Sequence, residues 1–287
     1  MNTTFGRRLR AAFDRYGHLC VGIDPHPHLL QAWNLDDSPD GLHYFAMTVC
    51  DRLEGTVGIL KPQSAFFERH GSSGVAVLEQ VIKRCQASQT LCIMDVKRGD
   101  IGSTMAGYGW AYLDERSPLR SDAMTVSPYL GTGSLQPAVD CAVDNDRGVF
   151  VLCLTSNPQG PEVQHSLCAD GRSVALAVAE YARSININYV HTGDDDATQM
   201  GPCGLVVGAT VGKAVSELGI TFDNLHAPLL VPGIGAQGGT AADIVRLFGK
   251  ASANVIASVS RSVLSGGPNG LVDAATREND ALLAIVN

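Results

Sequence analysis

The stretch Ile93-Met94-Asp95-Val96-Lys97-Arg98-Gly99-Asp100-Ile101-Gly102-Ser103-Thr104 sets Asp95, Lys97 and Asp100, charges of alternating sign, directly behind an apolar run. Leu91, Ile93 and Met94 read as a buried strand, where an unpaired ionised group is costly, so Asp95 and Lys97 need partners or a task. Residues i and i+2 of a strand share a face, which points Asp95 and Lys97 the same way with Asp100 on the following loop. An ammonium flanked by carboxylates keeps its proton at neutral pH and can serve as a positioned general acid. The same spacing also suits a purely structural ion-pair network.

Working outward, similar short apolar runs recur at Leu19–Ile23, Val57–Leu60, Leu91–Met94, Ala123–Val126, Val149–Leu154, Cys203–Val207, Pro228–Val231 and Asn254–Ala257. Amphipathic segments lie between them at Leu42–Leu53, Val75–Arg84, Ser134–Val143, Val174–Ala182, Ala242–Phe248 and Arg261–Leu264, and Phe5, Leu9, Phe13 and Tyr16 recur at helical spacing. Near-continuous apolar strands alternating with helices imply a covered parallel sheet. Eight such repeats in 287 residues fit a (β/α)8 TIM barrel occupying 1–287 as one domain, ahead of a doubly wound open sheet.

Polar and glycine-rich residues gather after the strands, and in a barrel they would converge on one rim. The chain has only five lysines, and two of them, Lys61 and Lys97, fall just after the second and third strands. If both face that rim, a sequence Lys61, Asp95, Lys97, Asp100 of alternating sign becomes possible. Gly233-Ile234-Gly235-Ala236-Gln237-Gly238 matches the dinucleotide pattern GxGxxG, but it follows the seventh strand and lacks the acidic residue about 20 positions on that would hold a ribose. Such a loop can still offer backbone N–H groups to a phosphate, with Arg261 adding a cation after the eighth strand, where barrels commonly bind phosphate. His26 and His28 form an H-x-H after the first strand. The later strand ends offer Thr155, Gly208 and Ser258 rather than further ligands, so no metal is expected. No G-x-S-x-G elbow occurs, and Ser127 reads as a substrate hydrogen-bonder rather than a nucleophile.

Composition narrows the class. The formal charge of −8 argues against a general nucleic-acid binder, and no run approaches the roughly 20 apolar residues that span a bilayer. The eight cysteines include no CxxC pair and read as buried free thiols of a cytoplasmic protein. His70, His165 and His191 read as surface histidines, and Asn186–Gly201, with Asp194-Asp195-Asp196, as a solvated insertion loop without chemistry.

The pattern Asp95-x-Lys97-x-x-Asp100-Ile101-Gly102-x-Thr104 resembles the signature of the orotidine 5′-phosphate decarboxylases, and MDVKRGDIGST is most similar to their mycobacterial-type branch. Supporting segments run the length of the chain: VGIDPH from Val21, KPQSAFFE from Lys61, TVSPYLG from Thr125, VPGIGAQGG from Val231 and SRS from Ser260. The resemblance implies a homodimeric lyase of UMP biosynthesis that decarboxylates orotidine 5′-monophosphate to UMP without metal or organic cofactor. By motif position, Lys97 would protonate C6, Asp95 would sit beside the leaving carboxylate and Lys61 would bridge Asp95 and the ribose. Asp100 and Thr104 would reach the partner subunit's site. Asp24 would bind the ribose hydroxyls, Ser127 the pyrimidine amide, and Pro232 would line the base pocket, with Gln237 and Arg261 on the phosphate. The rival readings are a Mg²⁺-dependent sugar-phosphate decarboxylase or aldolase sharing D-x-K-x-x-D, and a non-catalytic barrel that senses UMP.

Overall fold

A computed structural model describes residues 4–189, 199–235 and 238–286. Eight parallel strands close into a barrel: β1 (Leu19–Ile23), β2 (Ile59–Pro62), β3 (Leu91–Arg98), β4 (Ala123–Val126), β5 (Gly148–Leu154), β6 (Cys203–Val207), β7 (Leu229–Pro232) and β8 (Val255–Val259), with β8 pairing back onto β1. The ring of helices includes α1 (Phe5–Tyr16), α2 (Pro39–Leu53), α3 (Gly71–Ser88), α4 (Gly102–Leu113), α5 (Gln136–Asp144), α6 (Val174–Asn186), α7 (Ala214–Glu217), α8 (Ala241–Phe248), α9 (Arg261–Leu264) and α10 (Gly267–Val286). The expected (β/α)8 barrel is therefore the fold, and the open sheet is excluded by the β1–β8 pairing.

Both faces of these strands are buried, which is why they read as continuous apolar runs. Outward residues such as Val21, Leu60, Met94, Val151 and Val207 belong to a large core shared with the helices. Inward residues form a separate cluster of Cys20, Ile59, Leu91, Ile93, Ala123, Phe150, Val206, Leu230 and Ile256, closed from below by Phe5, Leu9 and Phe13 of α1. Phe5 meets Phe150 edge-on at 6.1 Å between ring centroids, and Phe150 fits because Gly204 leaves no side chain in its way. Polar ties lock α1 in place: Arg8 pairs with Asp122, and Arg10 donates to the Ala253 carbonyl at 2.9 Å and to Asn254 Oδ1 at 2.6 Å.

The strand period of two then builds the functional rim. Two residues above Ile59 stands Lys61; above Ile93, Asp95; above Ala123, Thr125; above Leu230, Pro232; above Ile256, Ser258. A polar layer thus rests on the apolar filling of the barrel, at the C-terminal strand ends where barrel enzymes carry their sites.

Several boundaries differ from expectation. The second strand runs Ile59–Pro62 rather than Val57–Leu60, and β3 and β8 extend to Arg98 and Val259, because residues that read as turn polars are ladder members lining the rim. Helix α4, absent from the helical segments expected from the periodicity, begins two residues after Asp100. The described part of the Asn186–Gly201 stretch does not include 190–198, so the reading of its acidic triplet and of His191 falls outside the described residues. Among the described residues no helix is long and apolar enough to cross a membrane. All eight cysteines are free and six are buried, and burial pushes the Cys20, Cys153 and Cys203 thiols up to about 12.

Candidate active site

Asp95 is the hub of the rim. Its Oδ2 accepts from Lys61 Nζ at 3.0 Å and from Gln63 Nε2 at 3.0 Å; its Oδ1 accepts from Lys97 Nζ at 2.5 Å and from Thr125 Oγ1 at 3.0 Å. Asp95 and Lys61 are buried, 7% and 6% exposed, whereas the Lys97 side chain is 46% exposed. Burial alone would raise the Asp95 pKa, but Lys61 and then Lys97 outweigh it and hold the carboxyl far below the usual range. Burial likewise pulls on Lys61 in the direction of deprotonation, yet Asp95, with Asp24 and Cys20 behind it, leaves its pKa raised. The pair is thus ionised on both sides, a Lys61–Asp95–Lys97 charge triad with every hydrogen bond of the carboxylate satisfied.

Strand β3 reaches this geometry by breaking its own ladder. Met94 pairs with Met124 and Arg98 with Val126, so Asp95, Val96 and Lys97 stand opposite the single residue Thr125. Lys97 sits there at φ 44°, a left-handed conformation costly for a residue with a side chain. The turn of backbone sends Arg98 outward, where it pairs with Glu68 at 2.5 Å and lies over the Tyr108 ring at 5.6 Å.

A cavity of about 380 Å³ opens beside the triad. Asp24, Lys61, Gln63, Asp95, Pro232, Ser258 and Arg261 are among its walls, with His26 and His28 at one side. Asp24 Oδ1 is buried with no hydrogen-bond partner among the described residues, as are the hydroxyls of Ser260 and Ser262, which flank Arg261 at the start of α9. His26 and His28 stack on each other, with 5.2 Å between ring centroids, and His26 also packs on Phe66 at 4.2 Å. Among the described residues no three His, Cys, Asp or Glu side chains lie together as a metal site.

Other expected residues fall elsewhere. Ser127, just beyond β4, lines a neighbouring cavity of about 530 Å³ with Tyr129 and Leu152, and its backbone N–H donates to the Arg98 carbonyl at 2.7 Å. Asp100 accepts from its own Ile101 N–H at 2.7 Å rather than from Lys97, so within one chain the ammonium meets one carboxylate, not two. Thr104 lies exposed in the first turn of α4. The glycine-rich loop turns on itself: the amides of Gly235, Gly238 and Gly239 donate to Gly239, Gly235 and Gly233, so these three N–H groups are not offered to a phosphate. Gln237 lies outside the described residues.

Two residues of the site were not singled out in the sequence: Thr125 and Gln63. The period of two from Ala123 would have placed Thr125 in the polar layer, but a threonine in a strand is ordinary enough to pass unremarked. Gln63 directly follows β2 and forms a parallel bridge with Asp95.

The cavity offers a ligand the Arg261 cation at one wall and the unpartnered Asp24 carboxylate oxygen at another, beside the Lys61–Asp95 pair. The chain is similar to known proteins along most of its length. Residues 17–270 match the family model described as Orotidine 5'-phosphate decarboxylase / HUMPS family. An orotidine 5'-phosphate decarboxylase of Streptomyces coelicolor is 53% identical over 266 residues, 92% of this chain and 91% of that protein. One from Corynebacterium glutamicum is 45% identical over 93% of this chain and 92% of its own length. A Streptomyces avermitilis protein, crystallised as a candidate orotidine 5'-phosphate decarboxylase, superposes with a TM-score of 0.91 at 49% identity, over 99% of this chain and 96% of that one. The Leishmania donovani OMP decarboxylase superposes with a TM-score of 0.75 at 29% identity, covering 99% of each chain. With the family model spanning most of its length and relatives at about half identity, the chain belongs to the orotidine 5'-phosphate decarboxylase family.

Proposed function

We propose that this enzyme converts orotidine 5′-monophosphate to UMP and carbon dioxide without metal or organic cofactor, with Lys97 giving the proton to C6. The observation that carries this reading is the Lys97 ammonium, half exposed at the barrel mouth and 2.5 Å from a buried Asp95 that three further donors hold still. When the C6–carboxylate bond breaks, its electron pair stays on C6 in the plane of the ring, where no resonance relieves it. Stabilisation must then come from a cation already in position, and Lys97 supplies both the charge and the proton that ends the step. The substrate carboxylate lies against Asp95, and binding energy from the remote phosphate offsets that crowding.

In this reading Arg261 takes the phosphate, assisted by Gln237, while Asp24 and Lys61 take the ribose hydroxyls. Pro232 lines the base pocket and Ser127 hydrogen-bonds the pyrimidine amide. The unpartnered Asp24 oxygen and the cavity of about 380 Å³ suit a polar ligand of nucleotide size. Asp100 and Thr104 serve the neighbouring subunit. Asp100 leaves its own Lys97 alone, and the same rim exposes Ile101 (61%), Tyr129 (76%) and Leu130 (52%), an apolar surface of the kind that partners cover.

The test is an ultraviolet assay of orotidine 5′-monophosphate loss, with and without EDTA. Turnover should survive the chelator; a strict Mg²⁺ requirement points instead to the sugar-phosphate reading. Lys97→Ala should abolish turnover while leaving UMP affinity within about tenfold. Near-normal turnover in that variant would refute the assignment of Lys97, and a parent that binds UMP without turning substrate over would be a sensor.

A further inference from the structure

We infer that Thr125 is a positioning residue whose hydroxyl replaces the missing β-ladder between β3 and β4 and thereby fixes the reactive ammonium of Lys97. The inference rests on the reading of Lys97 as proton donor.

A hydroxyl has one proton to give and two lone pairs to offer. Thr125 uses all three: Oγ1 donates to Asp95 Oδ1 at 3.0 Å and accepts from the backbone N–H groups of Val96 at 3.0 Å and Lys97 at 2.9 Å. Those two amides belong to the segment in which three residues of β3 face one of β4, so the regular pairing has no acceptor placed for either. Both would otherwise be unsatisfied beneath the rim, and the Lys97 backbone would lack the tie that holds it at φ 44°. One side chain, 1% exposed, therefore sets the backbone from which Lys97 springs and the carboxylate oxygen that its ammonium touches. Thr125 reaches no farther: it is buried, and its hydroxyl is fully occupied by these three bonds. Its effect must pass through Asp95 and Lys97, so it should alter the chemical step more than nucleotide binding.

The test compares the parent with Thr125→Val, Thr125→Ser and Lys97→Ala. Valine keeps the shape and removes the hydroxyl; serine keeps the hydroxyl and loses the methyl. For Thr125→Val, kcat should fall on the order of 100-fold, the scale expected for a reactive group displaced by about 1 Å. UMP affinity by calorimetry should stay within about threefold. Thr125→Ser should recover kcat to within about fivefold of the parent. Should the valine variant not fold, Thr125→Ala removes the same hydroxyl without branching at the site and takes its place. Parental kcat in a folded hydroxyl-free variant overturns the inference, as does a serine variant as slow as the valine one. A drop in UMP affinity that matches the drop in kcat also overturns it. An active Lys97→Ala instead removes the reading of Lys97 on which the inference stands, so the two failures are distinguishable.

Discussion

Replacing Asp95 by Asn should be among the most damaging isosteric changes available to this fold. The substitution removes the one negative charge that lies between two ammonium groups and turns one carboxylate oxygen into an NH2 facing a donor. Lys61, 6% exposed and 3.0 Å from the lost oxygen, is left as a buried cation without its counter-charge. Breaking a buried pair from one side costs about 3–5 kcal/mol, which for a chain of this length lowers Tm by about 5–8 °C. The pH dependence is more telling than the size. In the parent, Asp95 is lowered and Lys61 raised, so their stabilisation is present between the ordinary carboxylate and lysine ranges. It fades only as pH falls through the Asp95 value or rises through that of Lys61. In the variant, burial, the largest influence on Lys61, is opposed chiefly by the more distant Asp24, and the folded-state pKa drops below the unfolded value of about 10.4. The unfolded state then binds more protons, so the variant gains stability as pH rises. Urea denaturation followed by circular dichroism at several pH values from 7 to 10 should show a deficit that shrinks. A loss under about 1 kcal/mol at pH 7, or a deficit that is constant or grows with pH, would refute the reasoning.

Two further outcomes follow from the rim. Arg261→Ala should weaken UMP at least about tenfold and leave uridine binding unchanged, measured by calorimetry; equal UMP affinity in variant and parent would remove Arg261 from the phosphate. Ile101→Lys places a charge on the exposed apolar rim, and light scattering should report monomers with activity lost in parallel. A parental mass and parental kcat would show that the rim beside Asp100 is not where a partner sits.

The alternation of apolar strands with helices was enough to read the barrel, because every strand is buried on both faces and announces itself by composition. The same uniformity blurred the strand ends. Lys61 and Pro62 look like turn residues, yet they are ladder members because the interior changes from apolar to polar within one strand. Helix α4 was hidden for a different reason. Its glycines lower helix propensity, but Gly109 lets it approach α5 so closely that an added Cβ would stand 3.1 Å from Ala138 Cα. Tertiary contact rewards what local propensity penalises. At the site, charge and order along the chain pointed to Asp95, Lys97 and Lys61. The bulge that brings Thr125 under Lys97 depends on a registry between two strands, which no spacing within one strand reveals.

The seal that α1 makes beneath the barrel has a consequence for how the chain comes to be folded. Arg10 is tied to residues about 243 positions later, and the β1 edge finds its second neighbour only in β8. During synthesis α1 therefore leaves the ribosome long before its receptor exists, carrying Phe5, Leu9 and Phe13 exposed on one face. Contacts of such long separation are slow to form, and until they do β1 is an unpaired edge. Closure of the last seam and docking of α1 should thus be late and coupled events, and the nascent chain is most vulnerable to misassociation just before β8 arrives.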